Sequence, residues 1–142
     1  MMARIFLLLL ATLPLLTYGQ GQGVKGQLYW VTGNQMPGPE REQIPRQGIA
    51  REIYVFELTN RSDVEEEDGF YKVHTRLVKR VFSKPNGTFT IRLEPGRYSV
   101  FVKENKGLWA NLVDSENNIS PVTVTRGKYV WITISIDYSA AY

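Results

Sequence analysis

The chain has 142 residues, no cysteine, one histidine and a formal net charge of +3, with 43% hydrophobic and 12% aromatic residues. That length fits one ordinary domain. Disulfide frameworks, zinc knuckles, iron–sulfur sites and cysteine nucleophiles are excluded for want of thiols, and a single histidine removes most His-based metal and acid–base sites. No cofactor and no metal site is expected.

The first segment has Arg4 in a short polar start, an apolar run from Ile5 to Leu16, and small residues at Thr17 and Gly19. This is the three-part pattern of a secretory signal peptide over residues 1–19, with the mature domain at 20–142. The run is about half the roughly 20 residues that span a bilayer, so no transmembrane segment is expected after cleavage. Only Arg4 is charged in the leader, so the mature chain carries 16 basic residues against 14 acidic ones. So small an excess predicts neither a nucleic-acid nor an anionic-membrane partner. The expected compartment is the periplasm, the outer-membrane surface or the exterior.

From Val24 the apolar residues repeat every second position. Val24, Leu28 and Trp30 alternate with Lys25, Gln27 and Tyr29, as in a strand with one face on a core. Gly33 to Gly48, with Pro37, Pro39 and Pro45, reads as a long loop, either mobile or functional. Glu52 to Leu58 is a strand apolar on both faces, hence central and covered on each side. Between Asn60 and Phe70 the run Glu65-Glu66-Glu67-Asp68 predicts a solvated hairpin tip, since four adjacent carboxylates repel one another. It lacks the spaced oxygen ligands and central Gly of a calcium loop.

Three strand-like runs follow, at Val73–Phe82, Thr88–Leu93 and Tyr98–Lys103. Lys84-Pro85-Asn86-Gly87 and Glu94-Pro95-Gly96-Arg97 join them, the second with the Pro and Gly of a type II turn. The reading is a meander in which Phe89, Ile91 and Leu93 share a face with Tyr98, Val100 and Val102. Pro121–Thr125 and Tyr129–Asp137 complete seven strands. No segment has the apolar spacing of a helix, and the profile is that of an antiparallel β-sandwich with its core over about 23–137.

Gly87-Thr88-Phe89-Thr90-Ile91-Arg92-Leu93-Glu94-Pro95-Gly96-Arg97-Tyr98-Ser99-Val100 resembles the G-x-F-x-[apolar]-x-L-x-P-G-x-Y-x-V signature of carboxypeptidase regulatory-like domains, and Val24-Lys25-Gly26-Gln27-Leu28 is similar to that family's first strand. The resemblance implies a seven-stranded antiparallel Greek-key sandwich of prealbumin-like or immunoglobulin-like type, in a stand-alone exported bacterial form. It also implies an accessory role instead of catalysis. The related transthyretin-like hydrolases use more than one His and a C-terminal Tyr-Arg-Gly-Ser, whereas this chain has His74 alone and ends Tyr138-Ser139-Ala140-Ala141-Tyr142.

His74 shares a strand face with Arg76 and Arg80, with no positioned partner for acid–base work. Trp30, Tyr54, Phe56, Phe89 and Tyr98 read as core. Trp131 differs, because its face-mates Thr133 and Ser135 are polar while Val130, Ile132, Ile134 and Ile136 fill the opposite face. Trp109 lies in the weakly patterned Lys106–Asn111 segment. Exposed indoles stack on sugar rings or anchor protein partners. The candidate ligand-binding residues are therefore Trp109 and Trp131, with Asn34 and Met36 in the long loop. The sequence predicts an exported, non-catalytic binding or structural module of the cell envelope, with a polysaccharide or an envelope protein as partner. A small transthyretin-like hydrolase and a subunit of an envelope assembly are the alternatives.

Overall fold

The computed structural model describes residues 21–34 and 46–141. The expected leader and Met36 lie outside the described residues. The strands are β1 (Gly23–Asn34), β2 (Gln47–Gly48), β3 (Glu52–Glu57), β4 (Val64–Glu67), β5 (Phe70–Val73), β6 (Leu77–Phe82), β7 (Thr88–Arg92), β8 (Gly96–Glu104), β9 (Gly107–Trp109), β10 (Pro121–Val124) and β11 (Tyr129–Ala141), with a 3-10 turn at Arg61–Asp63. The all-β sandwich is present, but eleven strands replace the expected seven. Those added, β2, β4, β5 and β9, have two to four residues, too few for alternation to mark. The acidic run does form a hairpin: Asp68 and Gly69, at φ 53° and 84°, make the two-residue turn between β4 and β5 that Asp-Gly favours.

Two sheets form the layers. In the four-stranded sheet β1 is central, with β11 on one side and both β2 and β7 on the other. The seven-stranded sheet has the order β4-β5-β9-β8-β3-β6, with β10 also paired to β8. Val24, Leu28, Phe89, Ile91 and Ile136 of the first meet Ile53, Val55, Val100, Val102 and Val122 of the second in one buried core. Gly26 lies opposite Phe89 and is closed over by its ring; a Cβ there would come within 2.5 Å of the ring and 2.2 Å of the Ile132 carbonyl oxygen.

Two expectations of pairing are corrected. β7 and β8 are not neighbours in a meander: β7 pairs with β1, and β8 with β3, β9 and β10. Phe89 and Ile91 therefore face Val100 and Val102 across the sandwich. Glu94-Pro95 is a corner between sheets, with Gly96 at φ 157°, far from the roughly +80° of a type II turn. The buried Tyr98 holds this corner by donating its hydroxyl to the Glu94 carbonyl at 2.6 Å. The sandwich is also not wholly antiparallel, because β1 and β11 run parallel from Gly23↔Tyr129 to Trp30↔Ile136. Beyond Ile136 one extra residue in β11 forms a bulge, after which Thr32 pairs with Ser139.

The centre of the seven-stranded sheet is covered on both faces, as the two apolar faces of β3 predict. On its outer side Phe56, Tyr71, Phe101, Ala110 and Ile119 form a second core. Phe101 is fully buried and packs edge-to-face with Phe56 and Tyr71 at 5.5 and 5.8 Å. The cover is the segment between Ala110 and Ser120, folded on itself where the Asp114 carboxylate accepts the backbone amides of Glu116 and Asn118.

Candidate functional site

Nothing described covers the outer face of the four-stranded sheet, and strand parity fixes what it presents. Counting across β11, β1 and the β7/β2 side, its rungs are Tyr129, Gly23 and Arg92; Trp131, Lys25 and Thr90; Thr133, Gln27 and Thr88; Ser135, Tyr29 and Gly48. Trp131 is 62% exposed. Beside it Lys25 carries its ammonium 4.5 Å over the Tyr129 ring, and Arg46 lies 5.9 Å over the ring of Tyr29. Gln27 is turned toward the β7 side, where its amide donates to the Asn86 carbonyl. These rungs hold three aromatic rings, hydroxyls and the cations Lys25 and Arg92, with no carboxylate among them.

Such a surface can do two things. A flat indole flanked by hydroxyls offers an apolar plate to a ring while neighbouring groups satisfy hydroxyls, and an aromatic pays little conformational entropy for that contact. The cations bias the same face toward partners without excess positive charge.

Of the four sequence candidates the structure leaves one on this face. Trp131 is exposed as expected. Trp109 is not a loop residue: it ends β9 at 8% exposure, donates its indole N–H to the Ser135 carbonyl at 3.2 Å, and packs on Phe70 and Tyr138 at 5.6 and 5.3 Å. Its ring packs at the end of the sandwich and lines the small apolar crevice between β10 and β11. Asn34 closes β1, and Met36 lies outside the described residues. The Lys106–Asn111 segment begins as part of a tight hairpin of β8 and β9, with Glu104 opposite Gly107.

His74 falls in the break between β5 and β6, which ends the strand expected over Val73–Phe82. It is half-exposed, and its Nε2 lies 3.1 Å from a Glu65 carboxylate oxygen. The adjacent hydroxyl, Thr75, is engaged elsewhere, at 2.6 Å from that of Thr59. The histidine and the carboxylate of this pair both stand in open solvent. Among the described residues no group of three or more His, Asp or Glu side chains is placed to hold a metal ion, and no helix is long and apolar enough to cross a membrane.

Sequence reasoning missed a buried polar network at the end of the core. Glu104 is 6% exposed; one oxygen accepts from Arg51 Nε at 2.9 Å and the other from the Tyr138 hydroxyl at 2.9 Å. Burial, and then the Glu104 carboxylate, push the Tyr138 hydroxyl above its ordinary range. Trp30, Phe70 and Trp109 surround the Tyr138 ring at 5.1 to 5.4 Å. A signal was available: Val100, Val102 and Glu104 share one parity, so the carboxylate had to point inward.

No family model matches this chain, and no curated protein or solved structure matches it significantly.

Proposed function

We propose that this chain is an exported, non-catalytic β-sandwich of the cell envelope that holds a polysaccharide on the outer face of its four-stranded sheet. The observation that carries the reading is Trp131: a large indole left 62% exposed on a flat face, beside Lys25 and Thr133. Trp131 shares its face with the rings of Tyr129 and Tyr29 and with Lys25 and Thr133. This grouping of aromatic plates, hydroxyls and cations supports a ligand that offers both a ring face and hydroxyls. The export reading rests on residues 1–19 and on the absence of a charge excess that would suit nucleic acid.

Kinship with carboxypeptidase regulatory-like domains is part of the proposal. Phe89, Ile91, Leu93, Tyr98 and Val100, the large positions of the resembling motif, are all buried in the core. In such a scaffold the motif serves the fold, and recognition falls to the surface it leaves free. Affinity electrophoresis through gels containing neutral or acidic polysaccharides tests the reading. Retardation of the wild type by at least one polymer, and its loss in Trp131→Ala, is expected. A wild type that migrates freely in every gel, or a variant retarded equally, overturns it.

A further inference from the structure

We propose that the free edge of β11 is the contact through which two copies of this chain pair, strand against strand. The inference is independent of the polysaccharide reading and begins with the backbone. Among the described residues β11 is the outermost strand of its sheet, with β1 on one side only. The Gly23 amide donates to the Lys128 carbonyl at 3.1 Å. Strand alternation then turns the backbone groups of Val130, Ile132 and Ile134 toward β1 and those of Tyr129, Trp131 and Thr133 toward the open edge. The open stretch stops at Ser135, whose carbonyl accepts the Trp109 indole.

Among the described residues the other edges are blunted, β7 by Lys84 and Lys79, which donate to its Thr88 and Arg92 carbonyls. β4 reads Val-Glu-Glu-Glu. β6 carries Lys79 and Arg80, and Lys79 reaches to the other sheet to donate to the Arg92 carbonyl at 3.0 Å. β2 has two residues and β10 begins at a proline. Charges, inward lysines, short length and proline are the devices that stop an edge from recruiting another strand. β11 has none of them from Tyr129 to Ile136: eight residues without charge, proline or glycine, with the aliphatic Val130, Ile132, Ile134 and Ile136 on one face and Tyr129, Trp131, Thr133 and Ser135 on the other. Beneath this edge lies an apolar crevice of about 60 Å³, where Leu112, Pro121 and Val122 face Ile132 and Ile134; Leu112 is 59% exposed.

The charge pattern selects a second copy as the occupant. Antiparallel pairing about a two-fold axis sets a strand against itself, so it brings like charges together wherever the strand is charged. β4 and β6 would repel their own copies, whereas the uncharged Tyr129–Ile136 stretch meets itself without penalty. The pairing places inward Ile132 and Ile134 beside their counterparts over the crevice. It also continues the four-stranded sheet across the axis, with both Trp131 rings on one surface.

Sedimentation equilibrium, together with amide hydrogen exchange on the purified wild type, tests this. Twice the chain mass is expected, with the Trp131 and Thr133 amides protected at high concentration and exchanging freely on dilution. Thr133→Lys sets like charges across the axis, so its dimer dissociation constant should rise about tenfold or more with an unchanged circular dichroism spectrum. Three results overturn the proposal: a monomer at every concentration, edge amides whose exchange ignores concentration, or a dimer as tight in a folded Thr133→Lys variant.

Discussion

The two sheets of this sandwich are built from similar strands yet end in different states. The seven-stranded sheet is buried on both faces at its centre, where Phe101, Phe56 and Tyr71 lie under the 110–120 segment, while Phe82 at the end of the edge strand β6 is 74% exposed. The four-stranded sheet buries its inner face alone and leaves Trp131 in water. An aromatic beneath the 110–120 segment, such as Phe101, is therefore a stability element, and Trp131 on the outer face of the four-stranded sheet is available for recognition. The same residue type has opposite meanings on two faces of one domain, and the difference lies in what covers it.

Substitutions break this comparison in graded fashion. Phe101→Ala opens a cavity under the covering segment and should cost about 3–5 kcal/mol, read as a fall in the denaturant midpoint. Glu104→Gln leaves Arg51 and Tyr138 with a neutral partner and should cost about 1–3 kcal/mol in the same assay. Arg51 is a third exposed, so the figure stays below that of a fully buried pair. Tyr98→Phe removes the hydroxyl that holds the Glu94 corner and should cost about 0.5–1.5 kcal/mol. Trp131→Ala should stay within about 0.5 kcal/mol of wild type. If Trp131→Ala destabilises as much as Phe101→Ala, the two faces are not different.

Acid sharpens the contrast from the covered side. The Asp114 carboxyl is held below its ordinary value, chiefly by accepting the Asn118 backbone amide. A lowered folded-state value means the stabilisation is complete above the unfolded value of about 3.9 and is lost as pH falls through the lower folded one. Hydrogen exchange in residues 111–120 should rise over that acid range before the β1–β11 ladder loosens. Asp114→Asn should flatten this dependence.

Much of the fold was legible. Parity in Val24–Trp30, Ile53–Phe56 and Val130–Ile136 assigned inner and outer faces correctly, because burial itself sets a period of two. Pairing was not legible: a hairpin and a corner between sheets present the same alternation, so Phe89 and Tyr98 read as neighbours in one sheet when they face each other across the core. The site was legible at Trp131, where polar face-mates marked an uncovered surface. The place of Trp109 at the end of β9, expected to be in a loop, was not legible, since three residues are too few to show a period and the indole's partner, Ser135, lies 26 positions away.

The central claim, that the uncovered face is the binding face, is tested most directly by the three indole N–H resonances of the wild type under titration with a polysaccharide that retards it. Trp131 should shift in a saturable way while Trp109, held on the Ser135 carbonyl, and Trp30, partly buried against the core and the Tyr138 ring, stay in place. A shift confined to Trp30 or Trp109, or none at saturating polymer, would contradict the account.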